Sequence, residues 1–180
     1  TAFKMKFDNQ ILQVPGSTPP VFQNIGATNH DGIETAVDYT FDRDSVLRGL
    51  NVYANFTYTR AIQKSGATAG LDVPFYSRFT DTLGARYDIG AWTFNVSTTR
   101  QSAQYSDLAN TEAESADGSN GKVPGFRLWN LQAMYKVPGY KNADVTVGLN
   151  NVFDKRFYTR NVDGNAGRMV GAPRMIYVQG

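Results

Sequence analysis

Apolar and polar residues alternate with a period of two along most of this chain, and helical spacing is nowhere sustained. From Gly32 to Phe41, Ile33, Thr35, Val37, Tyr39 and Phe41 share one face, while Glu34, Ala36, Asp38 and Thr40 share the other. The same reading predicts strands over Leu50–Tyr58, Phe79–Ile89, Trp92–Thr99, Trp129–Val137 and Asp144–Asn150. Asp81 falls on the apolar side of its strand and interrupts the pattern at that end. Shorter segments predict strands at Ala2–Val14, at Val21–Thr28 (running on into Gly32–Phe41) and at Ala172–Gln179. The expectation is about eight strands, each with one greasy and one wet face.

The connections set the topology. Asp42–Gly49, Asp88–Ala91 and Pro138–Ala143 are short, Pro15–Pro20 is moderate, and Gln63–Pro74, Ser106–Pro124 and Thr159–Val170 are long. Long and short links alternate, so an antiparallel meander sends all its long loops to one end. That is the sidedness of an outer-membrane barrel. Tyr39, Phe41, Tyr87, Trp92 and Tyr135 flank the short turns, where an interfacial aromatic girdle belongs. A soluble sandwich or lipocalin-like barrel is the competing architecture, but the face opposite the aromatics carries Asn, Thr, Gln, Asp, Glu and Gly. Such a face suits water better than a packed interior.

Composition fits this picture. Lys+Arg 18 against Asp+Glu 16 gives a net charge of +2, too weak a field to argue for nucleic acid. Mean hydropathy is −0.39, and no apolar run is long enough for a membrane helix, though an alternating strand would not register on that measure. There is no Cys, which removes disulfides, thiol nucleophiles and Cys-type metal sites. The first residues contain neither an initiator Met nor a leader, and the last strand reads as cut short.

Four stretches, QNIGATNHDGIETAVDYTF (Gln23–Phe41), LNVYANFTYTRA (Leu50–Ala61), GLNNVFDKRFYTR (Gly148–Arg160) and GAPRMIYV (Gly171–Val178), resemble consecutive late-barrel segments of TonB-dependent outer-membrane receptors. FDNQILQVPGS (Phe7–Ser17) resembles the ferric-citrate branch of the ferric-siderophore receptors. The resemblance implies an all-β, antiparallel transmembrane barrel, with residues 1–180 as about eight C-terminal strands of a 22-strand barrel. It also implies that the plug domain and the earlier strands lie outside this segment. The expected activity is TonB-dependent uptake of a ferric siderophore or ferric citrate, in the outer membrane of a Gram-negative bacterium. The alternative is a small eight-stranded barrel with a structural or adhesion role.

Catalysis finds little support. His30 is the only histidine, no Gly-x-Ser-x-Gly elbow accompanies it, and a rim position is the simplest reading; an acyl hydrolase would have to use it. Asp42 and Asp44 read as turn formers, and Glu112, Glu114 and Asp117 as a solvated loop surface without recognised calcium spacing. No enzyme activity, cofactor or resident metal site is expected. An iron chelate is oxygen-rich and often anionic, so arginines and aromatics at strand ends and in long loops are the candidate contacts. These are Tyr76, Arg78, Arg100, Gln101, Tyr105, Arg160 and Arg168, with Arg60 and Arg127 beside them. Arg60, Arg100 and Arg127 share the greasy-face parity and could instead meet lipopolysaccharide phosphates. Glu34, Asp38, Asn55, Arg86, Asn130, Gln132 and Asn150 are expected to face the plug or lumenal water. The expected partners are therefore a ferric chelate, outer-membrane lipid and lipopolysaccharide, and the TonB complex reached through the plug, with no nucleic acid.

Overall fold

The computed structural model describes residues 1–13, 17, 19–140, 143–161 and 167–180. Half of the expected Pro15–Pro20 connection, and parts of those at Pro138–Ala143 and Thr159–Val170, lie outside the described residues. The described residues form twelve strands and no helix. They are β1 (Ala2–Gln13), β2 (Phe22–Thr40), β3 (Leu50–Gln63), β4 (Phe79–Ile89), β5 (Trp92–Gln101), β6 (Gln104–Tyr105), β7 (Lys122–Val123), β8 (Phe126–Lys136), β9 (Asp144–Asn150), β10 (Tyr158–Asn161), β11 (Arg168–Val170) and β12 (Met175–Gln179).

Eight of them form one antiparallel sheet in the order β1-β2-β3-β4-β5-β8-β9-β12. The sheet is open: β1 has only β2 as neighbour and β12 only β9. A closed eight-stranded barrel, the alternative architecture, is therefore not what these strands build. The other four strands make two small ladders inside long loops, β6 with β7 and β10 with β11, which the alternation did not reveal. β2 runs unbroken from Phe22 to Thr40, and a register shift beside Gly26 (φ 78°) bends its upper part against β1.

Register puts each face together as the alternation requires. One continuous outward row runs Ala85–Val96–Leu131–Leu149–Ile176, with Tyr87–Phe94–Ala133–Val147–Val178 next to it. At the short-turn end the aromatics gather: Tyr39 and Phe41 rings meet at 5.0 Å, and Trp92 lies 4.6 Å from Tyr135 and 5.8 Å from Phe94. Toward the long loops the outward rows turn charged, as Lys4–Asp31–Arg60 and Asp81–Arg100–Arg127. The opposite face is polar and internally bonded. Tyr53 lies over Gly84 and donates to Asn95 Oδ1 at 3.3 Å, while Tyr177 lies over Gly148 and accepts from Gln132 Nε2 at 3.3 Å. Each glycine makes the room its neighbouring ring occupies, since a Cβ on either would sit 2.1 Å from the ring.

The sheet itself encloses no core. Burial concentrates at the long-loop end, where Ile25, Ala61 and Val73 pack with Leu12 and Leu108. Buried polar groups join the loops there. Gln63 donates to Asp72 O and Leu108 O at 2.9 Å each, and Asn110 accepts from Asp72 N at 2.7 Å. Ser106 donates to Gly121 O at 2.7 Å. Asn151, at φ 50°, bridges Lys155 and Ala172 O with its amide.

Candidate binding rim at the long-loop end

Three cavities open where the upper strands meet this loop layer. The first, about 420 Å³, is walled by Phe7, His30, Phe75, Tyr76, Gln101 and Gln104. A second, about 470 Å³, shares Phe75, Gln101 and Gln104 and adds Phe22, Thr159 and Arg160. The third, about 340 Å³, holds Tyr76, Arg78, Gln104, Tyr105, Asp72 and Lys122. Gln104 lines all three, is 6% exposed, and donates to Thr159 O at 3.1 Å. Sequence reasoning passed over it. Its place beside Tyr105 in a polar loop was a signal, but an uncharged amide does not stand out there.

Of the residues singled out in the sequence, Tyr76 and Gln101 line the first cavity directly. Arg78 points into the third but is held by Asp72 through two bonds of 2.7 and 2.9 Å, which raise its pKa above the ordinary guanidinium value. Tyr105 donates to Glu112 Oε1 at 2.6 Å, and Lys122 reaches both Glu112 oxygens at 3.0 Å while lying 4.9 Å over the Tyr105 ring. Arg160 lines the second cavity. Arg168 is differently placed. Its side chain is 4% exposed, pairs with Glu114 at 3.3 Å, donates to Lys122 O at 3.2 Å and sits over the Tyr158 ring, joining two loops. Arg100 stands on the outward face, 3.1 Å from Asp81, away from the first cavity's wall.

Structure also refines the polar residues given no binding role. Asp81, the break in the alternation of β4, is the shared anion of two arginines, with Arg127 at 3.2 Å on its other oxygen. Glu112 and Glu114 are exposed, as a solvated loop surface requires, and each is also ion-paired, to Lys122 and Arg168. Asp117 accepts from the Ser115 hydroxyl and from Ser119, which together hold its carboxyl at about 2. His30 is not a loose rim group: it is 2% exposed, within 3.1 Å of Thr28 Oγ1 and 3.3 Å of Gln10 Oε1, with Phe7 and Tyr76 edge-on at 5.1 and 4.8 Å. The hydroxyl beside it is that of Thr28, which is fully buried. No cluster of potential metal ligands is found among the described residues.

On the deeper wall, Asp38 accepts from Asn51 at 2.8 Å and Arg86 pairs with Asp88 at 3.1 Å. Asn130 accepts from the Asn151 backbone at 3.0 Å.

An antiparallel meander with an apolar outward face, a bonded polar inward face, an aromatic girdle and one-sided long loops defines the wall of a transmembrane β-barrel. Among the described residues no helix is long and apolar enough to cross a membrane, which says nothing of strands. Residues 1–152 match the family model "TonB dependent receptor-like, beta-barrel", and the chain belongs to that family. The family consists of transport receptors rather than enzymes, and its members are β-barrels of the Gram-negative outer membrane. The chain is 38% identical to the ferric citrate transporter FecA in its unliganded crystal form, over 84% of this chain and 24% of that one, with a TM-score of 0.79. It is 23% identical over 172 residues to a probable TonB-dependent siderophore receptor, PiuA, of Acinetobacter baumannii, covering 88% of this chain and 21% of the relative. The crystal structure of PiuA superimposes with a TM-score of 0.72 over 98% of this chain at 19% identity. The chain thus spans about a quarter of the length of the receptors it matches. The small structural or adhesion barrel is not favoured by these relationships.

Proposed function

We propose that the chain is the C-terminal part of the barrel of an outer-membrane receptor for TonB-dependent uptake of a ferric siderophore or ferric citrate. The carrying observation is the likeness to the ferric citrate transporter across most of the chain, joined to a loop layer whose cavities open on the polar face of the wall. In this reading the chelate enters at the long loops and meets Tyr76, Gln101 and Gln104 first. Arg78, Tyr105 and Arg160 offer charge and hydroxyl contacts, and a chelate carboxylate would take the place of Asp72 on the Arg78 fork. Arg168 serves the site by joining loops, and Arg100 belongs to the outer surface.

No covalent chemistry is required. Transport would follow from displacement of a plug, carried elsewhere in the receptor and pulled by the TonB complex. The outward face would lie against the lipid and lipopolysaccharide of the outer membrane.

The test is direct binding of ferric citrate and of a ferric hydroxamate to the complete receptor, followed by fluorescence quenching. Arg78→Gln is expected to weaken the preferred anionic chelate about tenfold, the loss of one charged hydrogen-bonded pair of roughly 1.4 kcal/mol. Undiminished affinity in that variant would remove Arg78 from the site, and failure of both chelates to bind the receptor would contradict the function.

A further inference from the structure

His30 lines the first cavity on the polar face of β2, opposite Met5 of β1, and its neighbours fix which ring nitrogen carries the proton. Thr28 Oγ1 lies 2.5 Å from Gln10 Oε1. That separation belongs to an O–H···O bond, at about 2.5–3.0 Å, and is too short for an amide N–H donor, at about 2.7–3.2 Å. The single hydroxyl proton of Thr28 is therefore spent on Gln10. His30 Nε2, 3.1 Å from the same hydroxyl oxygen and 3.3 Å from Gln10 Oε1, faces two acceptors and so holds the imidazole proton. Nδ1 is left as a bare acceptor. It has no hydrogen-bond partner among the described residues, and it is not sealed off as the partnerless Nε of Arg168 is.

A second unspent acceptor lines the same cavity. Gln104 uses its amide Nε2 on Thr159 O at 3.1 Å, and its Oε1 has no partner among the described residues. Among the described residues no Lys, Arg, Asp or Glu lines this cavity, and Met5, Phe7 and Phe75 make one flank apolar. The third cavity, which shares Tyr76 and Gln104 with the first, carries the Arg78 fork. One compartment thus offers acceptors without charge, and its neighbour offers a cation. A chelate built of carboxylates alone brings only acceptors to His30 Nδ1, and two buried acceptors face to face leave both unpaired.

We infer that His30 Nδ1 determines specificity by accepting a hydrogen bond from an amide N–H on an uncharged limb of the chelate, while a carboxylate of the same chelate lies on Arg78. The ligand class this selects is a carboxylate chelate with amide-linked arms, such as a citrate bis-hydroxamate, over a chelate of carboxylates alone. The inference rests on the receptor function proposed above and narrows its ligand.

The test uses the complete receptor and fluorescence quenching by three ferric chelates: citrate, a citrate bis-hydroxamate with amide-linked arms, and its ester-linked analogue, which keeps the shape and lacks the N–H. The unaltered receptor is expected to bind the amide chelate about tenfold more tightly than the ester, the effect of one buried hydrogen bond. His30→Leu leaves Thr28 bonded to Gln10. In that variant the amide-to-ester ratio should fall to about twofold, with the affinity for ferric citrate unchanged. His30→Gln returns an acceptor oxygen and should restore part of the ratio. Equal binding of amide and ester chelates by the unaltered receptor would overturn the inference without any variant. So would a ratio untouched by His30→Leu, or a loss shared equally by ferric citrate, which is what a merely structural histidine gives. Ferric citrate bound without discrimination between the other two chelates sinks only the role of His30 and leaves the receptor function standing. Failure of all three chelates to bind sinks the receptor function, and this inference with it.

Discussion

Leu131, in the middle of the sheet, is 44% exposed, whereas Val73, in the loop layer above it, is 1% exposed. The two regions are stabilised from different sources. In the wall, the backbone ladder satisfies the polar groups and the outward apolar side chains stay exposed, so in the proposed outer-membrane setting lipid would supply their surroundings. In the loop layer, a small apolar cluster and buried amides satisfy one another without outside help. The wall is therefore sensitive to what its outward side chains meet, and the loops to whether their hydrogen bonds stay complete.

Charge placed on the wall should show the largest effect. Leu131→Arg, mid-sheet on the outward face, is expected to destabilise the bilayer-inserted barrel by about 2–4 kcal/mol, while Gln132→Arg on the neighbouring inward position should stay within about 0.5 kcal/mol. Urea unfolding in lipid vesicles measures both, and equal costs would erase the distinction between the faces. In the loop layer, Gln63→Ala strands the Leu108 carbonyl, while Asp72 O keeps its bond from Asn110, and should cost about 1–3 kcal/mol of local stability. Limited proteolysis should then cut the loops sooner while the wall keeps its heat-modifiable mobility. Gly84→Ala should cost about 1 kcal/mol, because the new methyl meets only the outer end of the Tyr53 ring, which can swing into the lumen.

The smallest effect is that of acid on the loops. Hydrogen bonds from Tyr105 and then Lys122 depress the Glu112 pKa, and the serine bonds hold Asp117 at about 2. A carboxylate whose folded pKa is depressed adds stability above its unfolded pKa and loses it as pH falls through the folded value. Loop protection by hydrogen exchange should thus be flat from pH 7 to about 5 and decline toward about 2, with the wall unchanged. Loops that loosen above pH 5 would contradict these assignments.

The wall was readable from the sequence because a period of two assigns every side chain to a face, and Ile33 to Phe41 or Trp129 to Val137 need no partner to be recognised. Asp81 was the exception: alternation marked it as a flaw, and only the register with Arg100 and Arg127 makes it a shared anion. Loop residues were legible as polar and aromatic candidates but not as a constellation. Arg168 meets Lys122 from 46 residues away, and Gln104 meets Thr159 from 55, distances over which no periodic signal operates. The β6–β7 and β10–β11 ladders, of two to four residues per strand, are too short to alternate visibly. His30 looked peripheral because its burial comes from Phe7 and Tyr76, on another strand and a loop.

Native cysteines are absent from the chain, so single cysteines can be introduced along β8 and labelled one at a time. With the receptor in lipid vesicles, a fluorophore at 129, 131 and 133 should be quenched by a lipid-borne quencher and shielded from an aqueous one, and the order should invert at 130 and 132. Quenching without that alternation, or with positions 130 and 132 on the lipid side, would contradict the account of a membrane-facing wall.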